Sequence, residues 1–120
     1  MTGGVLLENL TKTFKALSDP NRIRILKLLE VQPLCVCEIT WILGLAASTV
    51  SKHLSILKEA GFIFDHKDNK WVNYYLNDTN RSKYVSEIMP LIKKWLSDDK
   101  IIEKDRNRME FADRTKICIP

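Results

Sequence analysis

The 120-residue sequence predicts a mainly α-helical domain with one small β-hairpin, and three observations predict it. Apolar residues recur at helical spacing from Val5 to Ala60, interrupted at Asp19-Pro20, at Gln32-Pro33 and at Gly44. Between Phe62 and Leu76 the pattern changes to β-branched and aromatic residues around a polar tip, Asp68-Asn69. Beyond the hairpin, one strongly apolar helical pattern runs to about Leu96.

The first helix spans residues 5–17 and sets Leu6, Leu10, Phe14 and Leu17 on one face. Asp19 followed by Pro20 starts the second, with a capping carboxylate and a proline at the first helical position. Its core face is Ile23, Leu26, Leu28 and Leu29, which leaves Arg22 and Arg24 for solvent or phosphate. A third, short helix is expected from Cys35 to Leu43, with Val36, Ile39 and Leu43 inward and both cysteines in its first turn. Gly44 is the hinge to a fourth helix, about Ala47 to Ala60, whose inner stripe is Val50, Leu54 and Leu57. Its opposite face collects Ser48, Ser51, Lys52, Ser55, Lys58 and Glu59, with Thr49 and His53 on the flank. Ala46 cannot cap this helix through a side chain, so Ser48 or Thr49 is expected to do so. Two short helices meeting at a glycine turn, the second showing short hydroxyls beside cations, form a helix-turn-helix pattern. The candidate base-contacting residues are Ser48, Thr49, Ser51, Lys52 and His53; the plain alternative is a solvated helix surface.

The strands FIFDHK and WVNYYL follow directly, so the hairpin is expected as a wing whose Lys67, Asn69 and Lys70 reach DNA, with Asp65 and Asp68 diluting the charge. His66 is a wing residue. The last helix, from Asn80 or Arg81 to Trp95 or Leu96, carries more apolar surface than one exposed helix needs. With the first helix it predicts a two-fold homodimer interface of Leu6, Leu10, Phe14, Tyr84, Ile88, Ile92 and Trp95. Pro90 is expected to kink it. Residues 1–96 therefore form the DNA-binding and dimerisation domain, and residues 97–120 a charged C-terminal tail, disordered or a frayed helix.

The net charge is +4, and because the tail's charges balance, the excess belongs to residues 1–96. That suits a nucleic-acid binder without proving one. No stretch approaches a membrane span and the start has no secretory pattern, which points to a cytoplasmic protein. The odd cysteine count, 3, makes no disulfide framework. There is no Ser-His-Asp arrangement, no carboxylate pair in an apolar setting and no glycine-rich phosphate loop, so an enzyme is not expected.

Three segments, FKALSDPNRIRILKLL (14–29), LCVCEI (34–39) and STVSKHLSILKEAGFI (48–63), resemble the ArsR/SmtB metal-sensing repressors, over about residues 8–96. The resemblance implies a homodimeric winged helix-turn-helix repressor on an inverted-repeat double-stranded operator. Its Cys-Val-Cys implies the branch released by arsenic(III) or antimony(III), here on Cys35 and Cys37. That branch commonly has a further cysteine where Thr40 stands, which leaves Cys118 as the candidate third ligand. Thiolates are soft ligands suited to these ions. On a regular helix residues i and i+2 point about 200° apart, so binding is expected to unwind the first turn, and the helix N-terminus to lower the thiol pKa. The alternatives are half-buried structural cysteines, a redox switch, or a winged helix that docks an acidic protein partner.

Overall fold

The computed structural model describes residues 3–78 and 82–118. In chain order these form α1 (Gly3–Leu17), α2 (Pro20–Leu29), β1 (Leu34–Cys35), α3 (Val36–Leu43), α4 (Ala47–Glu59), β2 (Ile63–Asp68), β3 (Trp71–Leu76), α5 (Lys83–Lys94), α6 (Lys100–Met109) and α7 (Arg114–Ile117). The mainly helical fold with its antiparallel hairpin is the expected one.

Local chemistry explains most boundaries. Asp19 Oδ1 accepts from the backbone of Asn21 at 2.8 Å and Arg22 at 3.3 Å, and Pro20 opens α2. Gly44 ends α3 at φ 68°, a left-handed turn in which a side chain is costly, and this swings the chain into α4. Contrary to expectation, neither Ser48 nor Thr49 caps α4: its N-cap is Ala46, with no side-chain bond. The core is built from Ile25, Leu26 and Leu28 of α2, Ile39 and Ile42 of α3, and the expected Val50, Leu54 and Leu57 stripe of α4, closed by Phe62 and Ile63. Ile23 is only half-buried.

The hairpin pairs Ile63 with Leu76 through to Asp68 with Trp71, and Asn69 takes the tip at φ 58°. A third strand was not expected: β1 adds to β3, pairing Leu34 with Tyr74 and Cys35 with Asn73, in the order β1-β3-β2. Two residues are too few to show alternation.

The expected start of the last helix, Asn80 or Arg81, lies outside the described residues. From Ser82, whose hydroxyl accepts from Val85 at 3.4 Å, α5 continues through Pro90 to Lys94. It packs on α1, and a groove lined by Leu10, Phe14, Tyr84, Ile88 and Leu91 runs between the two. Leu6, Phe14 and Trp95 are exposed, while Ile92 turns inward and is 5% exposed, so it leaves the proposed dimer face for the core.

The tail departs most from expectation, because it is folded onto the domain. Asp105 of α6 takes two bonds from Arg24 at 2.8 and 2.9 Å, which removes Arg24 from any phosphate role. Arg108 donates to the carbonyls of Ile42 at 2.9 Å and Trp41 at 2.8 Å, ending α3, and stacks over the Trp41 ring. Ile102 and Met109 are buried beneath. The tail thus braces both α2 and α3. Arg22 is likewise internal, closing α1 through the carbonyls of Ala16 at 2.8 Å and Lys15 at 3.0 Å.

Candidate functional site

Cys35 is not in a helical turn. It ends β1 as the N-cap of α3, with extended backbone at φ −91° and ψ 167°, while Cys37 is the second residue of the helix. That difference in backbone breaks the helical phase, so their side chains converge without unwinding. Cys118, at the end of α7, joins them, and the three sulfurs all lie within 4.8 Å of one another. Among the described residues no other group of three Cys, His, Asp or Glu side chains converges in this way. Cys37 and Cys118 are joined sulfur to sulfur across a Cα–Cα distance of 5.7 Å, and Cys35 is a buried free thiol. Burial pushes the Cys35 thiol up, opposite to the lowering expected from a helix N-terminus.

The surroundings of the thiols are polar and specific. Glu38 Oε1 accepts from the Cys35 backbone at 3.0 Å and from Arg114 Nη2 at 2.6 Å, and it holds the guanidinium firmly charged. The same Arg114 nitrogen donates to Asn73 Oδ1 at 2.7 Å, and the guanidinium lies 4.9 Å from the Trp71 ring centre. Sequence reasoning missed Glu38, Asn73 and Arg114. Only Glu38, three residues after a cap position, carried a local signal.

At the wing, Asp68 organises the hairpin as well as diluting charge. It accepts from Asn73 Nδ2 at 2.8 Å and the Tyr75 hydroxyl at 2.7 Å, and pairs with His66 Nδ1 at 2.9 Å. These donors, Asn73 first, hold its carboxyl down to about 2 from 3.8. A carbon-detected NMR titration of Asp68 is expected to show that depressed midpoint. Because folding lowers the pKa, the contribution to wing stability is complete above the ordinary 3.8 and is lost as pH falls toward about 2. An unshifted midpoint would mean that the bonds do not form in solution.

On α4, Ser48, Thr49, Ser51 and Lys52 stand exposed, as do Lys67, Asn69 and Lys70 on the wing. Lys58 is engaged by Asp65 at 3.0 Å, and Glu59 by Lys12 at 3.3 Å. His53 is a correction. The residue is 8% exposed and its ring turns inward, with Nδ1 3.1 Å from Arg22 Nη1 and Nε2 3.9 Å from Asp19, so it locks α4 to α2 instead of facing a groove.

A helix-turn-helix with a three-stranded wing, and a thiol cluster at the seam between them, defines a ligand-responsive type of DNA-binding regulator. Residues 19–64 match the bacterial regulatory protein, arsR family. An HTH-type transcriptional regulator of Methanocaldococcus jannaschii is 42% identical over 86 residues, covering 71% of this chain and 92% of that protein. An arsenic resistance transcriptional regulator of Pseudomonas putida is 36% identical over 104 residues, covering 81% of this chain and 80% of that one. The solution structure of a homodimeric winged helix-turn-helix DNA-binding domain from Mycobacterium bovis superposes with a TM-score of 0.64 at 24% identity, over 78% of this chain and 88% of that one, a likeness of fold. The chain belongs to the ArsR family of winged helix-turn-helix transcriptional regulators. It is a transcriptional regulator. No helix among the described residues is long and apolar enough to cross a membrane.

Proposed function

We propose that this chain is a metalloid-responsive repressor: a homodimer that binds an inverted-repeat operator and leaves it when arsenic(III) or antimony(III) binds Cys35, Cys37 and Cys118. The observation that carries the reading is the convergence of three sulfurs within 4.8 Å, one of them from the far end of the chain. Three soft donors with no fourth Cys, His, Asp or Glu in the group suit a three-coordinate thiophilic ion better than structural zinc, which takes four ligands. Ser48, Thr49, Ser51 and Lys52 would read the major groove, and Lys67, Asn69 and Lys70 would hold the wing to the backbone. Leu6, Leu10, Phe14, Tyr84, Ile88 and Trp95 supply an apolar face for the second copy. A reducing cytoplasm would keep the thiols free.

A second reading, oxidant sensing, is favoured by one observation, the Cys37–Cys118 disulfide. The two are separated by titrating the operator complex anaerobically with arsenite and, separately, with peroxide. Arsenite is expected to release the wild type and not a Cys35→Ser/Cys37→Ser double variant that still binds operator. Release by peroxide alone would select the redox reading, and a double variant still released by arsenite would refute the site.

A further inference from the structure

The thiol cluster and the wing tip share one face of the sheet, and a chain of side chains connects them. Cys35 and Asn73 are directly paired across β1 and β3, so their side chains lie on the same face, and Asn73 and Tyr75 are two apart on β3. α7 packs on α3 and reaches this face through the Arg114 side chain. One end of that single helical turn is Cys118, whose backbone N–H donates to the Arg114 carbonyl at 3.0 Å; the other end is Arg114 itself. The sulfur and the guanidinium are therefore carried by the same helical turn.

We propose that Arg114 is the positioning residue that couples the thiol site to the wing, acting through Asn73 on Asp68. The proposal rests on the thiol-sensing reading above and specifies how the signal leaves that site. Arg114 Nη2 divides its two protons between Glu38 Oε1, which also caps the Cys35 backbone, and Asn73 Oδ1. Asn73 in turn donates its amide to Asp68, the last residue before the Asn69-Lys70 turn. The amide cannot flip, because its oxygen faces a donor and its nitrogen an acceptor, so the link has a direction. Both Glu38 at 5% and Asn73 at 8% exposure are shielded from water that would otherwise replace a lost partner. Coordination of Cys118 shifts α7, withdraws the guanidinium from Asn73 and removes one of the donors that pin Asp68, so the DNA-facing tip of the wing changes its arrangement. The two arrangements of this clamp are the two states whose balance both ligands bias.

The test uses the full chain, with sodium arsenite as probe and three readouts: the ultraviolet thiolate-to-arsenic absorption, the backbone amide resonances of Asn69 and Lys70, and the ratio of affinities for a duplex selected by the wild type, without and with arsenite. In the wild type the wing-tip resonances are expected to move as the absorption saturates, and the affinity ratio to lie in the range of about 5- to 150-fold usual for coupled sites. Arg114→Gln and Asn73→Ala each cut one link. Both should keep the absorption, lose the movement at Asn69 and Lys70, and bring the ratio to within about twofold of unity, with the double variant no worse than either alone, as members of one path must behave. Either variant retaining the wild-type ratio while arsenite is bound overturns the proposal, as does a wild type that binds arsenite with an unmoved wing. If the wild type shows no absorption, the metalloid reading fails by itself. The same resonances are then compared between reduced protein and the Cys37–Cys118 disulfide: a shift present in the wild type and lost in both variants supports the relay, and any other pattern overturns it.

Discussion

Cys118→Ser is expected to weaken arsenite binding by at least about a hundredfold and to change its ultraviolet spectrum, while operator binding without arsenite stays as in the wild type. The size follows from what is removed. Loss of partners that merely orient metal ligands already costs about 10- to 100-fold in affinity, and a ligand itself should cost no less. The sulfur is also delivered in advance: the ion pair of Arg24 with Asp105 and the seat of Arg108 on the carbonyls of Trp41 and Ile42 hold α6 against the domain, just ahead of α7. Cys118 is 7% exposed at the end of this brace. Closing the loop between distant thiols is thus done by folding, not by the ion. An anaerobic arsenite titration of wild type and variant decides the matter. Identical curves would mean a site of two thiols and a non-sulfur ligand, for which the buried, unpartnered Thr40 hydroxyl is placed one helical turn from Cys37.

Lys27→Ala should destabilise the fold by about 3–5 kcal/mol, the usual cost of breaking a buried, hydrogen-bonded charge pair, and lower the melting midpoint by roughly 10–20 °C. Lys27 is 1% exposed. Its ammonium donates to the Ile92 carbonyl at 2.9 Å, the Trp95 carbonyl at 2.7 Å and Glu30 at 3.0 Å, so one buried cation closes the C-terminus of α5 and neutralises a carboxylate. Alanine leaves a cavity and strands those acceptors together. Lys27→Met, which refills the space, should recover part of the loss, because Glu30 keeps Arg106 at 3.2 Å. Urea unfolding of the three proteins checks the order. A Lys27→Ala protein as stable as wild type would show that the α5 terminus is not held this way. A second consequence is expected at the α1–α5 face, since one of the carbonyls that Lys27 grips belongs to Trp95.

Much of this architecture was legible from local pattern. The Val50, Leu54, Leu57 stripe, the Asp19-Pro20 start, the Gly44 turn and the β-type runs of the hairpin around its polar tip each depend on residues within a few positions of one another, and the structure has them where the sequence puts them. The helix-turn-helix and its family segments belong to the same class of information. What local pattern misjudged were residues whose partners lie far along the chain. Arg22 and Arg24 read as solvent or phosphate groups and His53 as a DNA-facing one because a cation or ring on a helix flank normally is, and only their partners on other elements turn them inward.

The tail shows the same division most clearly. Its balanced charges looked like a solvated segment, yet its arginines and Asp105 find complementary groups on α2 and α3. The sequence by itself determined helices α1 to α5 and the hairpin, the exposed hydroxyl-and-lysine face and the pair of neighbouring cysteines, because periodicity and turn chemistry act over a few residues. Only the tertiary structure decided that Cys118 meets Cys37 across a separation of 81 residues, that Cys35 sits in a strand and so escapes the helical phase, and that Arg114 ties both to the wing. Those outcomes depend on which distant surfaces fit together, and no spacing along the chain encodes that.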